Sequence, residues 1–155
     1  MVFNIVVGFV VPWILGGYLF KKDAQIVLIV SPFASVVAFT VNELGFYMNF
    51  WHLQPYFDEE GVSALPYNLG LYPVLSCWFI YFIRRKIIMP VSQIMIFTLI
   101  TTLLEGIMLL MGKAEYENGW HIYWTFISYL LLYIPVYWYY IYLKKAHIFN
   151  QDHEI

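Results

Sequence analysis

Charged residues cut this chain into long apolar runs. Residues 1–20 carry no charge, and Lys21, Lys22 and Asp23 close the run. Residues 24–42 are again uncharged as far as Glu43, and 61–82 lead to Arg84, Arg85 and Lys86. Between Ile87 and Gly112 the only charge is Glu105, and none occurs from Asn118 to Leu143, ahead of Lys144 and Lys145. A helix needs about 20 mostly apolar residues to cross roughly 30 Å of hydrocarbon. The pattern predicts five spans, near 3–20, 24–45, 66–83, 89–111 and 121–143. Membrane β-barrel strands would alternate with a period of two, and these runs do not. The expected fold is all-α: one five-helix transmembrane domain over 1–145, with a short polar, disordered tail at 146–155.

Composition strengthens the membrane reading. The 155 residues are 62% hydrophobic and only 12% charged, with a mean hydropathy of +0.69. A soluble domain carries about 25% charged residues, so this surface cannot be coated for water. A soluble enzyme and a disordered chain are excluded. A net charge of −2 without a basic patch excludes nucleic-acid binding. The one cysteine, Cys77, lies inside an apolar run, which excludes an intrachain disulfide framework and a cysteine-based zinc site.

Basic residues set an expected orientation. With five spans, Lys21, Lys22, Arg84, Arg85, Lys86, Lys144 and Lys145 share one side, and only Lys113 lies opposite. The positive-inside rule puts the C-terminus in the cytoplasm and the N-terminus outside. The first run has no basic n-region or small-residue cleavage site, so it reads as a retained span. Tyr137, Trp138, Tyr139, Tyr140 and Tyr142 form an inner aromatic belt before Lys144. An outer interfacial loop is expected at 46–65. There Phe46, Phe50, Leu53 and Phe57 recur on one helical face, predicting a short helix on the membrane surface. Asp58, Glu59 and Glu60 follow as a solvated acidic turn, with cation recruitment as the sharper alternative.

Five polar groups, Asn42, Glu43, Asn68, Glu105 and His121, stand out because lipid makes them costly. Glu43 ends span two beside Asn42, Asn68 begins span three, and His121 and Trp124 open span five. Glu105 lies seven residues before Gly112, about 10 Å below the outer end of span four at 1.5 Å per residue. Topology sends them all to the outer half of the bundle. Thr98, Thr101 and Thr102 precede Glu105 as one polar stripe facing the interior. His121, Thr125 and Ser128 match it on span five. Ser31, Ser35, Ala38 and Asn42, and separately Gly8, Pro12 and Gly16, read as small-residue packing faces. Glu105 is either protonated or paired with a donor such as His121 or Asn68. Glu43, Glu105, His121 and His52 could in principle ligate a metal. No H-x-x-x-H spacing supports this, so neither metal nor cofactor is expected. No nucleophile elbow or glycine-rich phosphate loop occurs, and no catalytic residue is assigned.

Several of these pieces lie together. Val41-Asn42-Glu43-Leu44-Gly45 closes span two before an aromatic loop, Leu71-Tyr72-Pro73 lies in span three, Thr101 to Glu105 in span four, and Trp120 with Tyr123-Trp124-Thr125 opens span five. In these the chain resembles, over roughly residues 15–143, an uncharacterised family of small five-span integral membrane proteins of Gram-positive spore-forming bacteria. The resemblance implies the five-span topology and no activity. Phe57-Asp58-Glu59-Glu60 stands where that family carries a basic, proline-rich stretch. A weaker likeness to membrane lycopene-cyclase domains covers Glu43 to Tyr81, with Leu65-Pro66-Tyr67-Asn68 in place of their Pro-x-Glu-Glu motif. The tryptophan-rich sensory (translocator) proteins share length and span number, but their Trp-Pro signatures have no counterpart here.

Three functions fit this pattern. A non-enzymatic membrane subunit or sensor, working through helix packing in the bilayer with a membrane-protein partner or a second copy, is favoured by the few polar groups. A binding or transport module would hold a small amphiphilic or cationic molecule in an outward pocket of Glu43, Asn68, Glu105, His121 and Trp124. A lipid- or isoprenoid-modifying enzyme would use Glu105 as general acid.

Overall fold

The computed structural model describes residues 1–57 and 61–149. It is mostly helical. Helix α1 covers Val2–Lys22, α2 Ala24–Tyr47, α4 Pro90–Leu110 and α5 Ile122–Lys145, and all four are long and apolar enough to cross a membrane. No more than 39% of the apolar window of any of them is buried within the protein. Their outward faces therefore offer apolar side chains such as Ile14, Leu28, Leu103 and Leu131 to the surroundings, which suits lipid and not water. Helix α3 is a composite run over 61–84: Gly61–Pro66, a wider π-helical turn Tyr67–Leu71, and Tyr72–Arg84. It begins five residues before the expected position.

Small residues and prolines set how α1 crosses α3. A second π-helical turn, Val6–Val10, lies in α1 against the one in α3. Gly8 and Gly70 meet there, and a Cβ on Gly70 would collide with the Gly8 backbone. Pro73 has no N–H to give the carbonyl of Leu69 four residues back. That oxygen instead accepts from Trp13 Nε1 of α1 at 2.8 Å. The predicted face Gly8, Pro12 and Gly16 is buried at this crossing. Helix α2 packs mainly on α3, with Ala34, Ala38 and Asn42 on its buried side and Ser31 and Ser35 half-buried beside them.

Three helices end in the same backbone device. At the end of α2, Asn49 adopts a positive φ of 51°, its N–H donates to Phe46 O, and Phe50 N donates to Gly45 O. This is a Schellman stop, which Asn or Gly tolerates best. Gly112 closes α4 and His147 closes α5 in the same way. The stop at Asn49 corrects the interfacial helix expected from Phe46, Phe50, Leu53 and Phe57. The chain turns instead into strand β1, Trp51–Leu53, antiparallel to β2, Ala114–Tyr116. Trp51 faces Tyr116, His52 faces Glu115 and Leu53 faces Ala114. Gln54 N to Lys113 O and Glu117 N to Phe50 O, each 2.9 Å, extend this ribbon at both ends. The periodicity was real but ran across a helix terminus, and the partner edge came from a loop 60 residues away.

The opposite end gathers the basic loops. Asp23 caps α2 by accepting from Ile26 N at 3.1 Å, while its other oxygen pairs with Arg84 at 2.7 Å. Residues 146–149 of the expected tail turn back: Phe149 is buried against Tyr140 and under the Arg84 guanidinium, and Gln25 donates to Ile148 O. The rest of the tail, 150–155, and the acidic turn of Asp58, Glu59 and Glu60 lie outside the described residues.

Candidate functional site

Two stripes facing each other across α4 and α5 build the site at the ribbon end. Thr98, Thr101 and Thr102 are buried as the spacing predicts. Thr101 donates to Phe97 O and meets Tyr133 Oη at 2.7 Å, and Thr102 donates to Thr98 O. Such back-bonding satisfies hydroxyls that lipid would leave bare. Thr125, Tyr129 and Tyr133 recur every four residues on α5 and are all buried.

Glu105 sits where these stripes reach the ribbon. Tyr116 of β2 donates to Glu105 Oε1 at 2.6 Å, and Thr125 Oγ1 approaches the same oxygen at 3.3 Å. Tyr129 donates to Oε2 in a short bond. Behind them stand Trp120, donating to Thr125 at 2.9 Å, and Tyr72, 3.2 Å from the Tyr129 hydroxyl. Among the described residues no basic side chain pairs with Glu105. Its partners are thus three hydroxyls, not the His121 or Asn68 expected. Burial first, then the Glu105 charge, push the Tyr116 phenol above its ordinary value, so it stays a donor.

Glu105 also lines a cavity of about 320 Å³. Its walls are mostly apolar: Phe3 and Val7 of α1, Leu71 and Tyr72 of α3, Ile107 and Met108 of α4. Trp51, Leu53 and Ala114 of the ribbon close one side. Asn42, Thr101 and the tyrosines Tyr67, Tyr72 and Tyr129 bring the other polar groups. Trp51 is held over Gly45, where no Cβ could fit, and packs on Phe46 and Trp120. A smaller space lies alongside, reaching Thr125 and Ser128 past Glu105 and Tyr129.

Of the five expected site residues, Glu105 lines the cavity. Asn68 is fully buried behind it, accepting from the cavity residue Asn42 at 2.5 Å, and its own Nδ2 has no partner. Glu43 is exposed and lies away from this network, its Oε1 beside Gly61 at the start of α3. His121 is exposed at the start of α5, its ring near Tyr123, and Trp124 stacks outward near Trp120. His52 pairs across to Glu117 at 3.4 Å on the ribbon. Among the described residues no three His, Cys, Asp or Glu side chains cluster as a metal site would require.

Tyr116, Tyr129 and Asn42 are the functional neighbours that sequence reasoning left out of the site. Tyr129 could have been found four residues after Thr125, on the same face. Tyr116 could not, because only the ribbon brings its loop over α4. Compared with models of known protein families, with curated proteins and with solved structures, the chain matches none.

Proposed function

We propose that this is a five-span protein of the cell membrane whose cavity binds a small, largely apolar molecule, as a non-enzymatic binding module or sensor. The observation that carries the reading is the cavity itself, apolar on most sides with one hydroxyl-bound carboxylate in its wall. Ligand sites are typically of this make-up, apolar with a few polar groups that fix orientation. At about 320 Å³ it is roughly twice the 150 Å³ cavity that holds a benzene, leaving room for a ring with a short chain. Both oxygens of Glu105 are engaged by side chains, which suits holding a ligand better than passing a proton.

Helix α3 is the fifth span in this reading, about 36 Å long at 1.5 Å per residue. The cluster of Lys21, Lys22, Arg84, Arg85, Lys86, Lys144 and Lys145 supports a cytoplasmic C-terminus, an outer N-terminus and a cavity that faces outward. A membrane-protein partner or a second copy would read the ligand state. The short motifs that resemble the small five-span family support placing the chain beside it.

A brominated ring quenches an indole that it touches, and Trp51 is the tryptophan on the cavity wall. In phosphatidylcholine nanodiscs, para-bromophenylbutanol should quench fluorescence saturably, and Trp51→Phe should remove that saturable part. Quenching that rises linearly and equally in both proteins is partitioning into lipid, and contradicts a binding cavity.

A further inference from the structure

We infer that the cavity takes a monocationic amphiphile, admitted from the bilayer between α1 and α4, with its ammonium beside Glu105 and its apolar body against the rings. This rests on the cavity being a binding site and adds the charge of the ligand and its route.

The route follows from which helices fail to meet. Helices α1 and α4 share no extended contact, although Phe3 and Val7 of the one and Ile107 and Met111 of the other line the same cavity. Val7, Ile107 and Met111 are exposed. The gap between them is edged by apolar side chains within the last two turns of each helix at the ribbon end. A molecule that enters there must already lie in the membrane with its head near the boundary, which is where an amphiphile rests.

The charge follows from what lines the space. Among the described residues that line it, Glu105 is the only ionisable carboxyl group, it is partly accessible, and none is basic. Lys113, the one lysine or arginine at this end among the described residues, holds its ammonium over the ring of Phe3, 5.5 Å from the centroid. A carboxylate oxygen can accept two bonds. Oε1 takes Tyr116, whose hydroxyl Thr125 meets at 2.6 Å, and Oε2 takes Tyr129 alone, leaving acceptor capacity for an N–H donor. Tyr72, Tyr129, Tyr67 and Trp51 line the space with aromatic rings. Ring faces attract cations most strongly where water is excluded.

The test pairs para-bromophenylbutylamine with para-bromophenylbutanol, which differ in charge and hardly in size. Phosphatidylcholine nanodiscs are used so that no anionic lipid recruits the amine. The amine should bind about tenfold tighter or more by saturable Trp51 quenching, from one desolvated charge pair plus ring faces. Glu105→Gln should bring the two probes to within about twofold of each other, since the amide is neutral. Ile107→Phe, on the exposed edge of the gap and without a second indole, should slow amine entry while leaving the fold intact. Equal binding of both probes by the unaltered protein overturns the charge inference but keeps the cavity as a site. Saturable quenching by neither probe removes the site itself. A preference that survives Glu105→Gln, or entry that Ile107→Phe does not slow, contradicts the assigned head position or the route.

Discussion

Gly70 of α3 touches the backbone of Gly8 in α1, with no room between them for a methyl group. Both glycines lie in π-helical turns, and both helices carry a buried proline just beyond, Pro12 and Pro73. The crossing positions α1 along one side of the cavity. Because the opposing atoms are backbone, nothing can swing aside.

Gly70→Ala should therefore lower stability by about 3 kcal/mol or more, the upper end of what overpacking costs. Gly106→Ala should not, since nothing lies within 4 Å of a Cβ there. Thermal unfolding of both variants in one detergent reads the difference. Equal melting temperatures would mean that α1 and α3 do not cross at these glycines.

The tyrosines of α5 should not be equivalent. Tyr129 donates to Glu105 and neighbours Tyr72, whereas Tyr133 shares Thr101 with a backbone carbonyl that would still hold it. Tyr129→Phe should cost about 1–3 kcal/mol, because it leaves a half-buried carboxylate short of a donor. Tyr133→Phe should cost about 1 kcal/mol or less. Denaturant unfolding in matched micelles measures both, and the reverse order would contradict the network.

How much of this was legible beforehand depended on the range of the interaction. Span positions follow from charges and apolar runs within one helix, and the structure moves the four long apolar helices by only a few residues. The Thr98, Thr101 and Thr102 stripe was legible for the same reason. The site was only half legible. Glu105 was flagged by its cost in lipid, but its partners are Tyr116, 11 residues on, and Tyr129, 24 residues on. Spacing along one helix cannot report such pairs. Glu43 and His121 were drawn in by sharing an end of the bundle, and an end has more than one side. The ribbon stayed hidden because a strand of three residues has no period to read.

His52 and Glu115 stand opposite each other in that ribbon. His52→Cys with Glu115→Cys should form a disulfide under mild oxidation, since facing strand positions bring their Cβ atoms within bonding range. Cys77 is buried and should not compete. The readout is a reducible mobility shift. Its absence, with both thiols free to alkylate, would favour a surface helix instead of a strand.

The ribbon also carries a titrating pair. Tyr56 donates to Glu115 at 2.5 Å, and that bond, helped by Gln54, holds the Glu115 carboxyl below its ordinary value. The same bond, then burial, pushes the Tyr56 phenol up to about 12. The contribution of Glu115 is complete above the ordinary carboxylate value of 4.5 and is lost as pH falls through its lowered one. That of Tyr56 is complete below its ordinary value of 10.0 and is lost as pH rises through about 12. Tyr56→Phe should return Glu115 upward in a carbon-detected NMR titration. An unchanged midpoint would deny the bond.

Orientation can be read with a thiol reagent that does not cross membranes. In cells or right-side-out vesicles, Glu117→Cys in the loop at the ribbon end should be labelled at once, and Arg85→Cys only after permeabilisation. The opposite pattern would turn the protein over and place the cavity on the cytoplasmic side.

A small molecule held in the cavity under the ribbon, against the Glu105 wall, should leave the membrane with the protein. Native mass spectrometry of gently extracted protein, beside the Glu105→Gln variant, tests it most directly. An added small-molecule mass is expected on the unaltered chain, weakened or lost in the variant, with both folded. A bare protein mass in both, or one carrying a second polypeptide in both, would contradict it and point to a structural subunit.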